Sequence, residues 1–159
     1  MSTRPVEYTD SSRLNVGTVD VLGMSHSGIN TSNDDVRLTV ELENLDIRDA
    51  IRLGSGDLFI DVTGNCTQQT GDDITADGLG LMVDGMTLID NAGNNVMTFA
   101  ANNGGPTVLR DASELTVDTV TVSGMTVTGI STTNDDVLLT VHSGNLNINQ
   151  AVTTRGGSV

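Results

Sequence analysis

Two segments of the chain, 101 positions apart, have nearly the same sequence, and this internal repeat constrains the fold more than any other feature. Residues 18–51 and 119–152 are identical at 19 of 34 aligned positions. The identities include the sequence Asn-Asp-Asp-Val, which occupies residues 33–36 and 134–137. An internal repeat is typical of stacked arrays, which are more often scaffolds or binding surfaces than compact enzymes.

The rest of the pattern predicts many short β-strands. Apolar and polar residues alternate in runs such as 36–40, 58–62 and 137–141, and these runs are rich in strand-favouring residues such as Val, Leu and Thr. Clusters of Gly, Asn, Asp and Ser separate the runs and predict turns. Residues 72–86 come closest to a helical pattern, but three glycines within them argue against a helix.

Strand starts recur about every twenty residues, which is typical of a parallel β-solenoid. They fall near Val36, Leu58, Leu79, Val96, Leu115 and Val137. The steps between them are similar in length, so the repeat is expected to return after five steps. The alternation alone also allows a β-sandwich. The repeat and the Asn-rich turns favour the solenoid, because Asn accepts left-handed turn geometry and stacked Asn side chains form ladders.

We therefore predict an all-β chain with two parts. Residues 1–13 form a polar lead-in, and residues 14–159 form a parallel β-solenoid of about seven coils of roughly 20 residues. Each coil leaves its inner face exposed unless the coils stack edge to edge around one continuous core. Only three aromatic residues occur in the chain, so that core is built from aliphatic side chains.

Charge and hydropathy exclude two classes of partner. The net charge is −14 and all seven cations are Arg, so the surface repels nucleic acid and anionic lipid. No apolar run is long enough for membrane insertion, and residues 1–13 contain no visible secretory signal. The acidity itself is typical of a soluble surface. Divalent-cation binding and a high-salt habitat are alternative explanations.

The repeats resemble the filamentous-haemagglutinin-type repeats of large bacterial surface and secreted proteins. The shared pattern combines NDDV at residues 134–137, GNLNINQAV at residues 144–152 and the glycines of residues 156–157. Residues 56–81 are similar to another coil of the same family. The resemblance covers about residues 14–159 and implies a right-handed β-helix that serves as an adhesive or spacer shaft at the cell exterior. Such proteins are usually far longer and carry a secretion domain that is not visible here.

The two ends of the predicted solenoid are expected to associate with each other. Residue 159 stands at the repeat position of Leu58, a strand start, and no polar cap follows it. An uncapped end presents unpaired strand edges to another copy. We therefore expect head-to-tail contacts through Leu14 and Val16 at one end and through Ser158 and Val159 at the other. A frayed last coil in a truncated chain is the alternative.

Candidate catalytic residues are few. Ser25, His26 and Ser27 are adjacent and suggest a hydrolase, but Val127 replaces His26 in the second copy of the repeat. The spacing is also not that of a nucleophile elbow. Cys66 is the only cysteine; we predict a buried core residue, with a redox or intermolecular role as the alternative. We therefore predict no catalytic residue.

Three aspartate pairs are candidate Ca²⁺ ligands, because Ca²⁺ binds several carboxylate oxygens. The pairs are Asp34–Asp35, Asp72–Asp73 and Asp135–Asp136. Residues 73–84 loosely resemble an EF-hand loop, but the third position is Thr and the final ligand is not Glu. Asx-turn capping is the favoured use of these residues. We therefore predict no cofactor, with Ca²⁺ as the alternative.

Together these patterns predict a non-enzymatic structural or adhesive protein. We expect it at the cell surface or outside the cell, as a shaft or a self-associating filament subunit that contacts cell-surface or matrix ligands. The alternatives are a tail-spike-like β-helix that binds or cleaves polysaccharide and a spacer stiffened by Ca²⁺. The scarcity of aromatic residues, which commonly stack on sugars, counts against the first. The run 116–122, rich in Thr, also allows a flat ice-binding face, but Thr is a common strand residue.

Overall fold

A computed structural model describes residues 4–159 and contains 21 β-strands. The first eight strands are β1 (Val6–Asp10), β2 (Leu14–Val16), β3 (Thr18–Val21), β4 (Met24–Ser27), β5 (Ile29–Asn30), β6 (Val36–Val40), β7 (Leu45–Ile47) and β8 (Ile51–Arg52). The next seven are β9 (Leu58–Val62), β10 (Cys66–Gln68), β11 (Ile74–Val83), β12 (Thr87–Ile89), β13 (Asn95–Asn103), β14 (Thr107–Asp111) and β15 (Leu115–Val117). The last six are β16 (Thr119–Val122), β17 (Met125–Thr128), β18 (Ile130–Thr132), β19 (Val137–Val141), β20 (Leu146–Ile148) and β21 (Val152–Thr153). No helix in this part of the chain is long and apolar enough to cross a membrane.

The strands form two long sheets and two small hairpins. The first sheet has eleven strands, with the main order β1-β6-β9-β11-β13-β15-β20 and with β5, β8, β18 and β21 paired beside this path. The second sheet has six strands in the order β19-β14-β12-β10-β7-β2. Every strand pair of these two sheets is parallel. This all-parallel arrangement is consistent with a β-solenoid.

The register of the parallel pairs confirms the predicted spacing from β6 to β14, whereas paired residues of β1 and β6 and of β2 and β7 are 30 and 31 positions apart. In the first sheet Val36 pairs with Leu58, and Leu58 pairs with Leu79. In the second sheet Leu45 pairs with Cys66. Each of these steps is close to the expected coil length of roughly 20 residues. Because the steps are nearly constant, side chains of one kind line up in rows that cross the strands.

The main core lies on the inner side of both sheets. Strands such as β6 and β7 bury alternate side chains, as expected for strands with one face on a core. Burying each Val, Leu or Ile stabilises the fold by roughly 1.5–3 kcal/mol. The core is aliphatic except for Phe99 and contains the buried Cys66. The predicted burial of Cys66 is therefore confirmed.

Asparagines in the turns satisfy the backbone of the neighbouring turn. The amide N–H of Asn65 donates to Asn44 Oδ1 at 2.8 Å, and the N–H of Met86 donates to Asn65 Oδ1 at 2.8 Å. Asn33 and Asn134 adopt left-handed backbone conformations, with φ of 68° and 63°. The expected left-handed turn geometry is confirmed. The asparagine ladder consists of hydrogen bonds between side chains and backbone N–H groups.

Two strands of the repeat change sheets between the copies, so the predicted return after five coil-sized steps is wrong for them. β6 belongs to the first sheet, whereas its repeat counterpart β19 belongs to the second. Both hairpins lengthen a step of the pairing: β3–β4 is inserted between the paired residues Leu14 and Leu45, and β16–β17 between Ala101 and Ile130. Because the hairpin β16–β17 makes one step longer, the 101 residues between the two copies are too few for five full steps.

Two local expectations are also revised. The segment set apart as a polar lead-in contains β1, which pairs in parallel with β6 and so belongs to the first sheet. The Thr-rich run 116–122 does not form one flat strand. It is divided between β15 in the first sheet and β16 in a hairpin, because the chain turns away from the sheet after Val117.

Candidate functional site

The strands at the C-terminal edge expose side chains that are buried one strand earlier. Leu146 and Ile148 of β20 are in register with Leu115 and Val117 of β15. Leu115 and Val117 are fully buried, whereas Ile148 is 52% exposed. The same side of the sheet is therefore core at β15 and open surface at β20.

An apolar concavity of about 660 Å³ lies at this edge. It is lined by Val137, Leu138, Leu139, Leu146, Ile148, Val152 and Val159. Exposed contiguous apolar surface of this kind is typical of interaction sites. Val159 was the one residue of this set predicted to associate, because burial in the neighbouring strands had to be known before the others could be recognised as exposed.

The four residues predicted to associate lie at the two edges of the sheets. Leu14 and Val16 are in β2, which is an edge strand of the second sheet, and Val16 is already buried. At the other edge, the Ser158 carbonyl accepts a hydrogen bond from the Val137 N–H at 2.8 Å, and Val159 is exposed. The structure places these two pairs at opposite ends of the second sheet.

The two hairpins have similar sequences and the same turn. Hairpin A is β3–β4 and hairpin B is β16–β17, and both are antiparallel. Leu22-Gly23 and Ser123-Gly124 connect the strands, and all four residues have positive φ. Two consecutive positive φ values are typical of the type I′ turn, which matches the twist of a hairpin.

Hairpin B packs against the outer side of the first sheet. Val120, Val122 and Val127 are buried against Phe59 and Ala100, and these five residues form a second apolar cluster separate from the main core. Phe59 pairs with Gly80 and Gly80 pairs with Ala100, so the sheet contributes one row across three strands. We call Phe59, Gly80 and Ala100 the covered row.

Gly80 allows this close packing. A methyl group built on Gly80 would lie 2.8 Å from Phe59 Cδ2 and 3.2 Å from Val120 Cγ1. Carbon atoms do not approach so closely without strain, so a side chain here would displace either Phe59 or hairpin B.

Hairpin A exposes the equivalent face. All eight residues of its strands are exposed. Val21 is 52% exposed, whereas its repeat counterpart Val122 is 1% exposed. The Thr18 hydroxyl donates to Asp49 Oδ2 at 2.8 Å and fixes the base of the hairpin. Hairpin A therefore presents an apolar face to solvent.

The Ser25-His26-Ser27 sequence lies on hairpin A, and both serine hydroxyls form hydrogen bonds with residues other than His26. The Ser25 hydroxyl donates to Asp20, and the Ser27 hydroxyl pairs with Thr18 Oγ1 at 2.6 Å. His26 lies opposite Val19 in the hairpin. These contacts stabilise the hairpin and leave His26 at the position of the buried Val127.

The predicted Ca²⁺ ligands contribute to turn hydrogen bonds. The amide N–H of Asp57 donates to Asp35 Oδ1 at 2.9 Å, and the N–H of Ser158 donates to Asp136 Oδ1 at 2.7 Å. The carbonyls of Asp34 and Asp135 accept hydrogen bonds from Thr hydroxyls at 2.9 and 2.6 Å. Among residues 4–159, no group of three or more His, Cys, Asp or Glu side chains is arranged to hold a metal ion.

Burial raises the pKa of three side chains, Asp57, Cys66 and Asp111. Burial raises the pKa of Asp57, the nearby Asp35 raises it further, and a hydrogen bond from the Gly78 N–H partly offsets the rise. Burial also raises the pKa of the Cys66 thiol to about 12, with a further contribution from Asp46. A thiol that remains protonated is a poor nucleophile, which argues against a redox role for Cys66.

Comparison of this chain with protein-family models, with curated proteins and with solved structures finds no match. The resemblance to filamentous-haemagglutinin-type repeats therefore remains a prediction from the sequence.

Proposed function

We propose that this chain is a right-handed β-solenoid of about seven coils of roughly 20 residues. Parallel pairing at steps of 20 to 22 residues from β6 to β14 and one continuous, largely aliphatic core support this proposal. The handedness comes from the sequence resemblance described above. The resemblance also suggests an extracellular or cell-surface setting, with surface or matrix ligands as partners.

We further propose a structural role in which copies associate head to tail as a shaft or filament. The exposed Leu146 and Ile148, in register with buried residues of the preceding strand, are the observation that carries this proposal. A second copy would cover them with its own first strands, β1 and β2. The new contact would continue the parallel pairing and bury apolar side chains that are exposed in the single chain.

Electrostatic repulsion opposes this association. Two chains that each carry a net charge of −14 repel one another, and salt screens this repulsion over about 10 Å at 0.1 M ionic strength. Burying one Leu or Ile contributes roughly 1.5–3 kcal/mol in the opposite direction. We therefore expect association to strengthen as ionic strength increases.

Negative-stain electron microscopy and sedimentation velocity of the full chain test this proposal. We expect filaments one molecule wide that lengthen with protein concentration and with salt. The substitution Ile148→Asp should abolish them, because it places an unpaired charge in the contact.

Met97→Asp provides the matched control. Met97 is also an exposed apolar residue, but it lies in β13, within the first sheet and away from its edge. This variant should form filaments as the unmodified chain does. Single particles at every concentration and salt, or equal loss of filaments in both variants, would contradict the proposed association.

A further inference from the structure

The second sheet carries an apolar row on its outer side that resembles the covered row. Leu88 pairs with Val108 and Val108 pairs with Leu138, so these residues line up across three strands. They alternate with the core residues Ile89 and Leu109 and therefore lie on the opposite side of the sheet. Leu138 is 56% exposed. We call Leu88, Val108 and Leu138 the open row.

On the strands that precede each apolar row, the residues in register with the row are polar. The covered row is preceded in register by Arg37 and Glu7. The open row is preceded in register by Thr67, Asp46 and Asn15. Each apolar row thus spans three strands, and the open row ends at β19, the C-terminal edge of the second sheet.

Hairpin A matches the hairpin that fills the covered row. Val19, Val21 and Met24 are exposed and occupy the positions of Val120, Val122 and Met125 in hairpin B. The molecule therefore has two similar hairpins and two apolar rows, of which one hairpin and one row are already in contact. The remaining hairpin is exposed, and the remaining row is half-buried at Leu88 and Val108 and exposed at Leu138.

The direction of docking explains why they do not meet within residues 4–159. Hairpin B follows β15 and packs on β9, β11 and β13, which all precede it in the sequence. Hairpin A follows β2, and only β1 precedes β2 among the described strands. If hairpin A docked in the same direction, it would lie beyond the N-terminal edge of the sheets. The open row lies at the C-terminal edge.

We infer that hairpin A of one copy docks on the open row of a second copy of this chain. This inference rests on the proposed head-to-tail association, and it adds a side contact to the stacked ends. Val19, Val21 and Met24 cover Leu88, Val108 and Leu138 as hairpin B covers Phe59, Gly80 and Ala100. The side contact fixes the rotation of one copy relative to the next, because only the second sheet carries an open apolar row of this kind.

Disulfide trapping between two variants that each carry one added cysteine tests the contact. Val21→Cys and Leu138→Cys are prepared separately, mixed and oxidised, and the linked peptides are identified by mass spectrometry. Both positions are exposed, so the variants should fold, and the native Cys66 is buried. We expect the mixed disulfide to form at least about tenfold faster than in the controls, because docking holds the two thiols at a high local concentration.

Two controls separate docking from random collision. Ser25→Cys lies on the other face of hairpin A and replaces Val21→Cys in the first control. Asn147→Cys lies on the outer side of β20, at the same edge of the molecule, and replaces Leu138→Cys in the second. Both control pairs should react slowly. Control rates equal to the test rate would overturn the inferred contact.

The outcome also distinguishes this inference from the proposed function. Filaments without preferential linkage of residues 21 and 138 would overturn the side contact and leave end stacking in place. Preferential linkage without filaments would support the side contact and contradict the filament. Single particles without linkage would overturn both.

Discussion

Hairpins A and B differ in their surroundings more than in their sequences. Residues 18–27 and 119–128 are identical at five of ten positions, and both have the same two-residue turn with positive φ. Hairpin B is buried against Phe59 and Ala100, whereas both strands of hairpin A are exposed. Within residues 4–159, three strands with an apolar outer row precede hairpin B, whereas β1 is the one strand before β2 and hairpin A.

This comparison shows that a repeated sequence specifies a local structure without specifying its contacts. The turn and the cross-strand pairs form in both copies, since they depend on residues close in sequence. Burial of the apolar face depends on residues that are distant in sequence, such as Phe59 for hairpin B. Burial of the apolar face therefore differs between the two hairpins, because they lie at different positions along the sheets.

The largest expected difference between the hairpins comes from placing a charge on the apolar face of each. Val120→Asp should lower the free energy of unfolding by about 3–5 kcal/mol, because it buries an unpaired carboxylate. Val19→Asp should change it by less than about 0.5 kcal/mol, because that position is exposed. Urea unfolding followed by circular dichroism at low protein concentration measures both. Equal losses would mean that hairpin A is also docked within the single chain.

Exchanging the residues at the equivalent positions 26 and 127, a histidine and a valine, should have a smaller effect on stability. Val127→His places the residue of hairpin A in hairpin B, and it should cost about 1–3 kcal/mol at neutral pH because a polar ring is buried. The loss should grow at pH 5, where the imidazole tends to be charged. His26→Val should leave the stability of the single chain unchanged. Thermal melts at both pH values test this, and a cost of Val127→His that does not depend on pH would contradict it.

A carboxylate beside hairpin B is expected to respond to pH. A methyl group built on Gly78 would lie 2.7 Å from Asp57 Oδ1 and 3.1 Å from Val120 Cγ1, so Asp57 lies near the docked hairpin. Its pKa is raised, chiefly by burial and then by Asp35. The stability that Asp57 contributes is therefore present below its unfolded pKa and is lost as pH rises through its folded pKa.

Asp57→Asn removes this pH-dependent loss. The variant should melt at a higher temperature than the unmodified chain at pH 7. This gain should vanish as pH falls below about 4, where the Asp57 side chain is protonated and therefore neutral, as the Asn side chain is. Asp20→Asn on hairpin A is the matched control, and its melting temperature should follow that of the unmodified chain at each pH. A gain for Asp57→Asn that persists at low pH would contradict the assigned cause.

The smallest expected effects concern the two turns. Leu22 and Ser123 both have φ of 52°, a conformation that favours Asn over other side chains. Leu22→Asn should stabilise hairpin A by up to about 1 kcal/mol, since the left-handed conformation costs Leu that amount. Amide hydrogen exchange should slow within hairpin A without a change in global melting, because the exposed hairpin opens independently. Ser123→Asn should instead raise the global melting temperature slightly, and the reverse pattern would contradict separate docking.

Much of the fold could be predicted from local patterns. Alternating residues predicted strands such as 36–40 and 58–62, and the regular spacing of strand starts predicted their parallel pairing. The burial of Cys66 and the left-handed turns at Asn33 and Asn134 were also predictable. These features follow from residue type and from neighbours close in sequence.

The candidate site required the tertiary structure. Leu146 and Leu115 belong to similar strands, and only the sheet order shows that one is at an edge and the other is covered. The open row joins residues from β12, β14 and β19, which the predicted periodicity did not align correctly. Hairpin B lengthens a step of the pairing between the two copies, so a constant period did not predict that β19 joins the second sheet.

The sequence by itself determined the strands, the turns and two similar hairpins, because backbone propensity and side-chain alternation act over a few residues. The tertiary structure alone decided which sheet each repeated strand joins and which apolar faces are buried. The sheet that a strand joins depends on the total number of residues between paired strands, and each inserted hairpin shifts that number. Burial depends on contacts between residues distant in sequence, and for this reason hairpin B is covered while hairpin A and Leu138 of the open row are exposed.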